Sequence, residues 1–135
     1  LRFDDGSQAD ADCVIAADGL RSIVRERLFD PAPPQFSRHV AWRALIPAQQ
    51  APSWATQPCT VNHLGPGRNI VSYPVRGGDL VNLVALTESA GLAEESWSAR
   101  ADKADLAACF AGWAPQVTAL IDAVPADRLF RWGLF

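Results

Sequence analysis

The sequence has little sulfur and little basic charge. It contains no methionine and three widely spaced cysteines, Cys13, Cys59 and Cys109. An odd number of cysteines at such spacings favours unpaired thiols in a reducing, cytoplasmic compartment, and Cys13 is expected to be buried because it lies in an apolar run. The net charge of −3 argues against nucleic acid as the main partner, since binding phosphates requires a basic surplus.

Long apolar runs are also missing. No stretch approaches the ~18 apolar residues of a membrane-spanning helix, so no transmembrane segment is predicted. No basic segment is followed by an apolar stretch, so no signal peptide is predicted. The chain begins at Leu1 without a methionine and ends on an apolar run, so we expect an internal piece of a longer protein.

Several familiar site motifs are absent. Residues 65–67 read Gly-Pro-Gly, but Ile70 stands where a dinucleotide-binding loop needs its third glycine, so a hairpin turn is favoured. Cys59 and His63 lack the second pair of ligands that a zinc site needs, and no metal site is predicted. With His39 as the second of only two histidines, no Ser-His-Asp catalytic set can be argued.

The order of predicted elements indicates an α+β fold, a mostly antiparallel β-sheet with helices packed on one side. Turn residues and hydrophobic periodicity predict a hairpin over 1–17 about Asp5-Gly6, a helix over 21–29, strands over 40–47, 59–64, 69–76, 80–86 and 128–135, and helices beginning near 102 and 115.

Five aromatic side chains are expected to pack in the core. These are Trp42, Phe110, Trp113, Phe130 and Trp132, the last two on one shared strand face. Arg43 could bind a carboxylate through both guanidinium branches, although a surface or structural role is the commoner fate of such an arginine.

The stretch ADCVIAADGLRSIVR combines an apolar run with a basic, helix-like segment. A strand that ends at Asp18-Gly19 and opens a helix leaves backbone N–H groups that favour an anion, and Arg21 and Arg25 add positive charge. The alternative is an ordinary strand–helix turn capped by Asp18 or Ser22, which physical chemistry alone favours.

The same stretch resembles the Asp-Gly motif of class A FAD-dependent aromatic monooxygenases, the family of salicylate hydroxylase and para-hydroxybenzoate hydroxylase. The pattern A-D-G-x-x-S-x-V-R falls on Ala17, Asp18, Gly19, Ser22, Val24 and Arg25. Ala16 departs from it, because relatives often carry glycine there. The stretches AWRALIPA and GPGRNIVSYPVRGGDLVNLVA are similar to the salicylate hydroxylase branch, so the resemblance covers essentially the whole chain.

The resemblance implies FAD as cofactor and NAD(P)H as reductant. It places Asp18, Gly19, Ser22 and Arg25 near the FAD pyrophosphate. The family's N-terminal G-x-G-x-x-G and its later Gly-Asp motif are both missing, so an internal fragment, inactive alone, is expected. The resemblance further implies three parts: residues 1–29 as the last strands and helix of an FAD-binding domain, 30–34 as a linker, and 35–135 as a substrate-binding sheet domain.

Alternation along the strand at 69–76 puts Asn69, Val71 and Tyr73 on one face. The resemblance makes this the substrate-binding face, with Tyr73 matching a tyrosine that contacts the phenolic group and so the candidate catalytic residue. Several relatives carry histidine where this chain has Asn69, and an amide cannot act as a general base near neutral pH. Without the resemblance, Tyr73 would be read as a core aromatic residue.

The resulting hypothesis is a flavoprotein that hydroxylates a small aromatic, hydroxybenzoate-like substrate. Two alternatives stay open: a hydroxylase of a different ring in quinone or antibiotic synthesis, and a non-catalytic sheet domain that binds a ligand. No nucleic acid or membrane partner is expected. Self-association is expected through the apolar surface that would face the FAD domain.

Overall fold

The computed structural model describes residues 1–89, 91 and 99–135, which form two units. The first comprises Leu1–Gln35 and the second Phe36–Phe135. Within the described ranges, no helix is long and apolar enough to cross a membrane.

The first unit has little regular structure. A minimal hairpin joins Arg2 and Gln8 by an isolated antiparallel bridge, and its turn passes through Asp5 and Gly6, where φ is +83°. Helix α1 spans Ile23–Leu28, shorter than the predicted 21–29.

The apolar run before Asp18 differs from expectation. Residues 9–17 form no regular strand apart from the bridge at Gln8 beside them, and Ile15 is 89% exposed. Cys13, predicted to be buried, is exposed. A strand with apolar residues on both faces needs paired neighbours and a covering layer, and the described part of this unit supplies neither.

The second unit is built on a five-stranded antiparallel sheet with strand order β2-β3-β4-β1-β5. The strands are β1 His39–Pro47, β2 Val61–Gly65, β3 Arg68–Val75, β4 Leu80–Glu88 and β5 Leu129–Gly133. The α+β architecture predicted from the sequence is confirmed.

Two tight connections set the register of the central strands. Pro66 and Gly67 turn β2 into β3, with Gly67 at φ +66°. A 3₁₀ turn over Arg76–Gly78 joins β3 to β4, so that Val75 pairs with Leu80. Pro74 lies beyond the last β2 partner of β3, where its missing N–H costs no ladder bond on that side.

Helices α2 (Lys103–Cys109) and α3 (Pro115–Asp122) pack on one face of the sheet. The Asp102 side chain caps α2 by accepting a hydrogen bond from the Ala104 N–H, and Pro115 occupies the first turn of α3. The apolar side chains that these helices turn toward the sheet are buried: Leu106, Phe110, Val117, Leu120, Ile121 and Val124. Burying each of the larger of these side chains contributes about 1.5–3 kcal/mol.

Side chains alternate between the two faces of the sheet, and the helices cover one of them. We call the face that they do not cover the open face. The helix-covered face of β1 carries Val40, Trp42, Ala44 and Ile46, all in the core cluster. By register, the open face carries Arg43 of β1, Asn82 of β4 and the odd-numbered residues of β3.

Candidate active site

The Asp-Gly junction in the first unit is organised by the Asp18 carboxylate. Its Oδ1 accepts a hydrogen bond from the Ser22 hydroxyl at 2.5 Å, and its Oδ2 accepts one from the Val24 N–H at 3.2 Å. Ser22 is the N-cap of α1, and its Oγ accepts from the Arg25 N–H at 3.0 Å. Both residues predicted as caps therefore accept a backbone hydrogen bond at the start of α1, and they are also bonded to each other.

This arrangement fixes the charge of Asp18. The hydrogen bond from the Ser22 hydroxyl, followed by that from the Val24 N–H, lowers the pKa of Asp18 below its ordinary value of 3.8. The carboxylate accepts the Val24 N–H at the start of α1, one of the groups that the sequence had suggested for an external anion. The junction's other groups are the Gly19 backbone and the Arg25 guanidinium, whose Nη2 donates to the Leu20 carbonyl at 2.9 Å.

Gly19 adopts φ +78°, and a Cβ placed there would meet no atom of the described chain within 4 Å. Glycine is favoured because an L side chain strains this backbone conformation, and the space beside it lets another molecule approach the main chain. The junction therefore offers an ionised acceptor, an open backbone and a guanidinium.

In the second unit, Asn69, Val71 and Tyr73 share the open face. Their partners on β4 are Leu86, Val84 and Asn82 respectively. All three side chains are half-buried. Tyr73 lines a cavity of about 380 Å³ with Pro58, Cys59, Thr60 and Pro74.

Asn69 lies toward the β2 side of this face. Its Nδ2 donates to Oδ1 of Asn62 at 3.3 Å. Asn69 is four residues from Tyr73 on the same strand, about 13 Å along it. An amide at this place can donate or accept a hydrogen bond but cannot take up a proton as a base near neutral pH.

A polar pair stands in the middle of the open face. Asn82 is the Cα partner of Tyr73, and its Oδ1 accepts a hydrogen bond from Nε of Arg43 at 3.3 Å. Asn82 is only 1% exposed, yet its Nδ2 has no partner within the described residues. An unsatisfied buried donor of this kind costs about 1–3 kcal/mol.

Arg43 also borders a concavity of this face. The cavity has a volume of about 470 Å³ and is lined by Arg43, Ala44, Leu45, Arg128, Phe130 and Trp132. That volume is within the range of small-molecule sites. Among the described residues, no acidic side chain lines it.

Sequence reasoning missed Asn82 and Arg128. The signal for Asn82 was present, because a hairpin closed near residues 77–78 places it across from Tyr73. Phe130 and Trp132 do share a strand face, as predicted, but it is the open face rather than the helix-covered core. Trp42 packs in the core as expected, and its Nε1 donates to Oγ1 of Thr87 at 3.0 Å.

Comparison with known proteins finds relatives of one class. Over its whole length the chain is homologous to FAD-dependent aromatic monooxygenases. No protein-family model matches it. Among curated relatives, 3-amino-4-hydroxybenzoate 2-monooxygenase of Streptomyces cremeus is 38% identical over 135 residues, which are all of this chain and 32% of that protein. The salicylate hydroxylase asL1 of Sarocladium schorii is 30% identical, covering all of this chain and 30% of its own length.

Solved structures show the same relationship. A salicylate hydroxylase in complex with its substrate superposes with a TM-score of 0.72 at 26% identity, over 98% of this chain and 36% of that one. HpxO of Klebsiella pneumoniae, complexed with FAD and uric acid, gives 0.65 at 32% identity, over 96% and 32%. The chain thus spans about a third of the length of the relatives it matches.

Proposed function

We propose that the protein containing this chain is an FAD-dependent monooxygenase that hydroxylates a hydroxybenzoate-like ring. The observation that carries the proposal is the homology over all 135 residues to enzymes of that chemistry. The overall reaction joins one oxygen atom of O₂ to the ring and releases the other as water, with NAD(P)H supplying the two electrons. The flavin, when bound, activates the oxygen, and the protein supplies orientation and exclusion of water.

Residues 1–29 are proposed to be the end of the FAD-binding domain, 30–34 a linker and 35–135 the substrate-binding sheet domain. The Asp-Gly junction fits a cofactor that carries both hydroxyl groups and phosphates. Ionised Asp18, held by Ser22, is an acceptor suited to hydroxyl groups, while the Gly19 backbone and the Arg25 guanidinium suit a pyrophosphate. The depressed pKa of Asp18 supports an acceptor role at all physiological pH values.

The substrate is proposed to lie on the open face beside Asn69, Val71 and Tyr73. Val71 offers an apolar contact, and the Tyr73 hydroxyl hydrogen-bonds the ring hydroxyl and helps move its proton. Asn69 positions the substrate through its amide, because it cannot serve as the base. The chain alone lacks most of an FAD site and is proposed to be inactive.

Three unpaired cysteines, two of them exposed, are compatible with a reducing compartment, and we place the protein in the cytoplasm. The partners proposed for it are the small aromatic substrate and the two cofactors.

The test uses the full-length protein that contains this chain. We expect a bound-flavin spectrum, and oxidation of NADH or NADPH that is stimulated by 3-amino-4-hydroxybenzoate, salicylate or 4-hydroxybenzoate. The product should carry one added oxygen atom by mass spectrometry. Absence of flavin even after FAD is added, or oxidation without a hydroxylated product from any of these acids, would contradict the proposal.

Tyr73→Phe should lower kcat/KM by about a hundredfold while leaving flavin binding unchanged, because only the hydroxyl at the ring is lost. Ser72→Ala is the matched control. It removes a hydroxyl from the adjacent residue, whose side chain is buried on the helix-covered face, and should leave kcat/KM near the wild-type value. Equal effects of the two variants would remove Tyr73 from the proposed mechanism.

A further inference from the structure

We infer that the cavity bordered by Arg43, Phe130 and Trp132 binds the carboxylate of an aromatic acid, with Arg43 as the residue that recognises it. The inference rests on the proposed function for its class of ligand. It adds the group of the ligand that is recognised and the residue responsible, neither of which follows from the homology. The cavity lies within the second unit.

The charge of the cavity favours an anion. Arg43 and Arg128 both line it, and no acidic side chain among the described residues does so. A guanidinium presents a planar fork of donors that matches the two oxygens of a carboxylate. Arg43 is exposed on its strand, so its fork is reachable from solvent.

Asn82 orients that fork. Its Oδ1 accepts from Nε of Arg43, which leaves the two Nη groups of Arg43 for a ligand. This contact also fixes which way the amide is turned, since the oxygen must face Nε. The Nδ2 of Asn82 has no partner in the described structure and is itself buried, so the polar contacts to the ligand come from Arg43.

The walls suit an aromatic ring. Phe130 and Trp132 alternate on β5 and supply two flat apolar surfaces, and Leu45 adds an aliphatic one. Asn82 connects this place to Tyr73, its partner on the adjacent strand about 4.8 Å away. Arg43 of β1 is thus two strands from Tyr73 of β3, the tyrosine proposed to contact the ring hydroxyl, with Asn82 of β4 between them.

The experiment is a ligand titration of this 135-residue chain, without flavin, at a concentration where light scattering shows a monomer, followed by NMR. The probes are 4-hydroxybenzoate and its neutral analogue 4-hydroxybenzamide. We expect the benzoate to shift the signals of Phe130 and the Trp132 indole with a millimolar Kd, and the benzamide to bind at least about tenfold more weakly.

Arg43→Gln should weaken benzoate binding by about tenfold, and Arg43→Lys by less, since lysine keeps the charge but loses the fork. Arg76→Gln, in the turn between β3 and β4, makes the same charge change away from the cavity and should leave the Kd unchanged. Dispersed amide spectra establish that each variant is folded, and Arg43→Lys keeps the test valid if Arg43→Gln is not.

Equal binding of benzoate and benzamide, a wild-type Kd in both Arg43 variants, or no shift at Phe130 and Trp132 with millimolar benzoate would each overturn the inference. Failure of the full-length protein to bind flavin or hydroxylate a ring would instead contradict the proposed function. Selective benzoate binding that depends on Arg43 would still support the cavity as an aromatic-acid site in that case.

Discussion

At the scale of single residues, Asp18 joins the Asp-Gly junction to the start of α1. Its carboxylate accepts hydrogen bonds from the hydroxyl of Ser22 and the N–H of Val24, and the Ser22 hydroxyl oxygen accepts one from the N–H of Arg25. These bonds favour the ionised form, so the pKa of Asp18 is lower in the folded protein than its ordinary 3.8. Folding of the junction is therefore favoured above that pH, and the advantage is lost as the pH falls through the lowered pKa.

We expect the Val24 amide to lose hydrogen-exchange protection, and its NMR shift to move, as the pH falls below 3.8, the ordinary pKa of Asp18. Asp18→Asn should remove this pH dependence, because the amide does not titrate in that range. Asp5→Asn is the control, since the pKa of Asp5 is also lowered, by bonds from Ser7 in the hairpin. A Val24 titration that persists in Asp18→Asn, or disappears in Asp5→Asn, would contradict the assignment.

At the scale of elements, the hairpin of β2 and β3 packs closely against the segment that follows α2. An ideal Cβ built on Gly65 lies 2.5 Å from Cζ2 of Trp113, closer than real Cβ atoms approach. Trp113 itself is packed edge-on against Phe110, with ring centroids 4.9 Å apart, so it has little room to move. The end of β2 and the Trp113 ring can pack this closely only because residue 65 is glycine.

Gly65→Ala should therefore lower the free energy of unfolding by about 1–3 kcal/mol, as overpacking of a filled core does. Chemical denaturation followed by tryptophan fluorescence measures it. Gly91→Ala is the matched control, because a Cβ at Gly91 meets no atom of the described residues within 4 Å and should change the stability little. A similar loss in both variants would show that the contact with Trp113 does not limit residue 65.

The same elements indicate how far the sequence determines the fold. The β3–β4 hairpin was predictable because the glycines at 77 and 78 interrupt two apolar segments at one place, which sets the register and with it the pairing of Tyr73 and Asn82. Alternation also separated the two faces of each strand. It could not tell which face the helices cover, so Phe130 and Trp132 were assigned to the wrong layer.

The segment from Cys13 to Ala17 shows the opposite limit. Its composition is typical of a strand buried on both faces, yet within the described residues it has no neighbouring strand. A hydrophobic sequence indicates that a segment is buried. It does not indicate which neighbouring strand or helix buries it, because that depends on the rest of the folded molecule. The roles of Asp18, Gly19, Ser22 and Arg25 toward a cofactor stay predictions for the same reason, since the junction is described without its partner.

At the scale of the whole molecule, apolar burial is uneven. The core cluster lies wholly in Phe36–Phe135, whereas Leu1–Gln35 exposes large apolar side chains. These are Leu1, Phe3, Val14, Ile15, Leu20, Ile23, Leu28 and Phe29. Exposed apolar residues in such number within one short unit are typical of a surface that is normally covered. We propose that the rest of the FAD-binding domain covers it in the full-length protein.

The isolated chain is then expected to self-associate through this surface. Ile15 is 89% exposed, so Ile15→Asp should add a charge without disturbing packing, and it should lower the apparent mass in light scattering toward the monomer at high concentration. Leu64→Asp is the matched control, because Leu64 is 76% exposed but lies on the edge strand β2 of the second unit. Association that survives Ile15→Asp but not Leu64→Asp would point to pairing between sheet edges, and a wild-type chain that stays monomeric would refute the covered surface altogether.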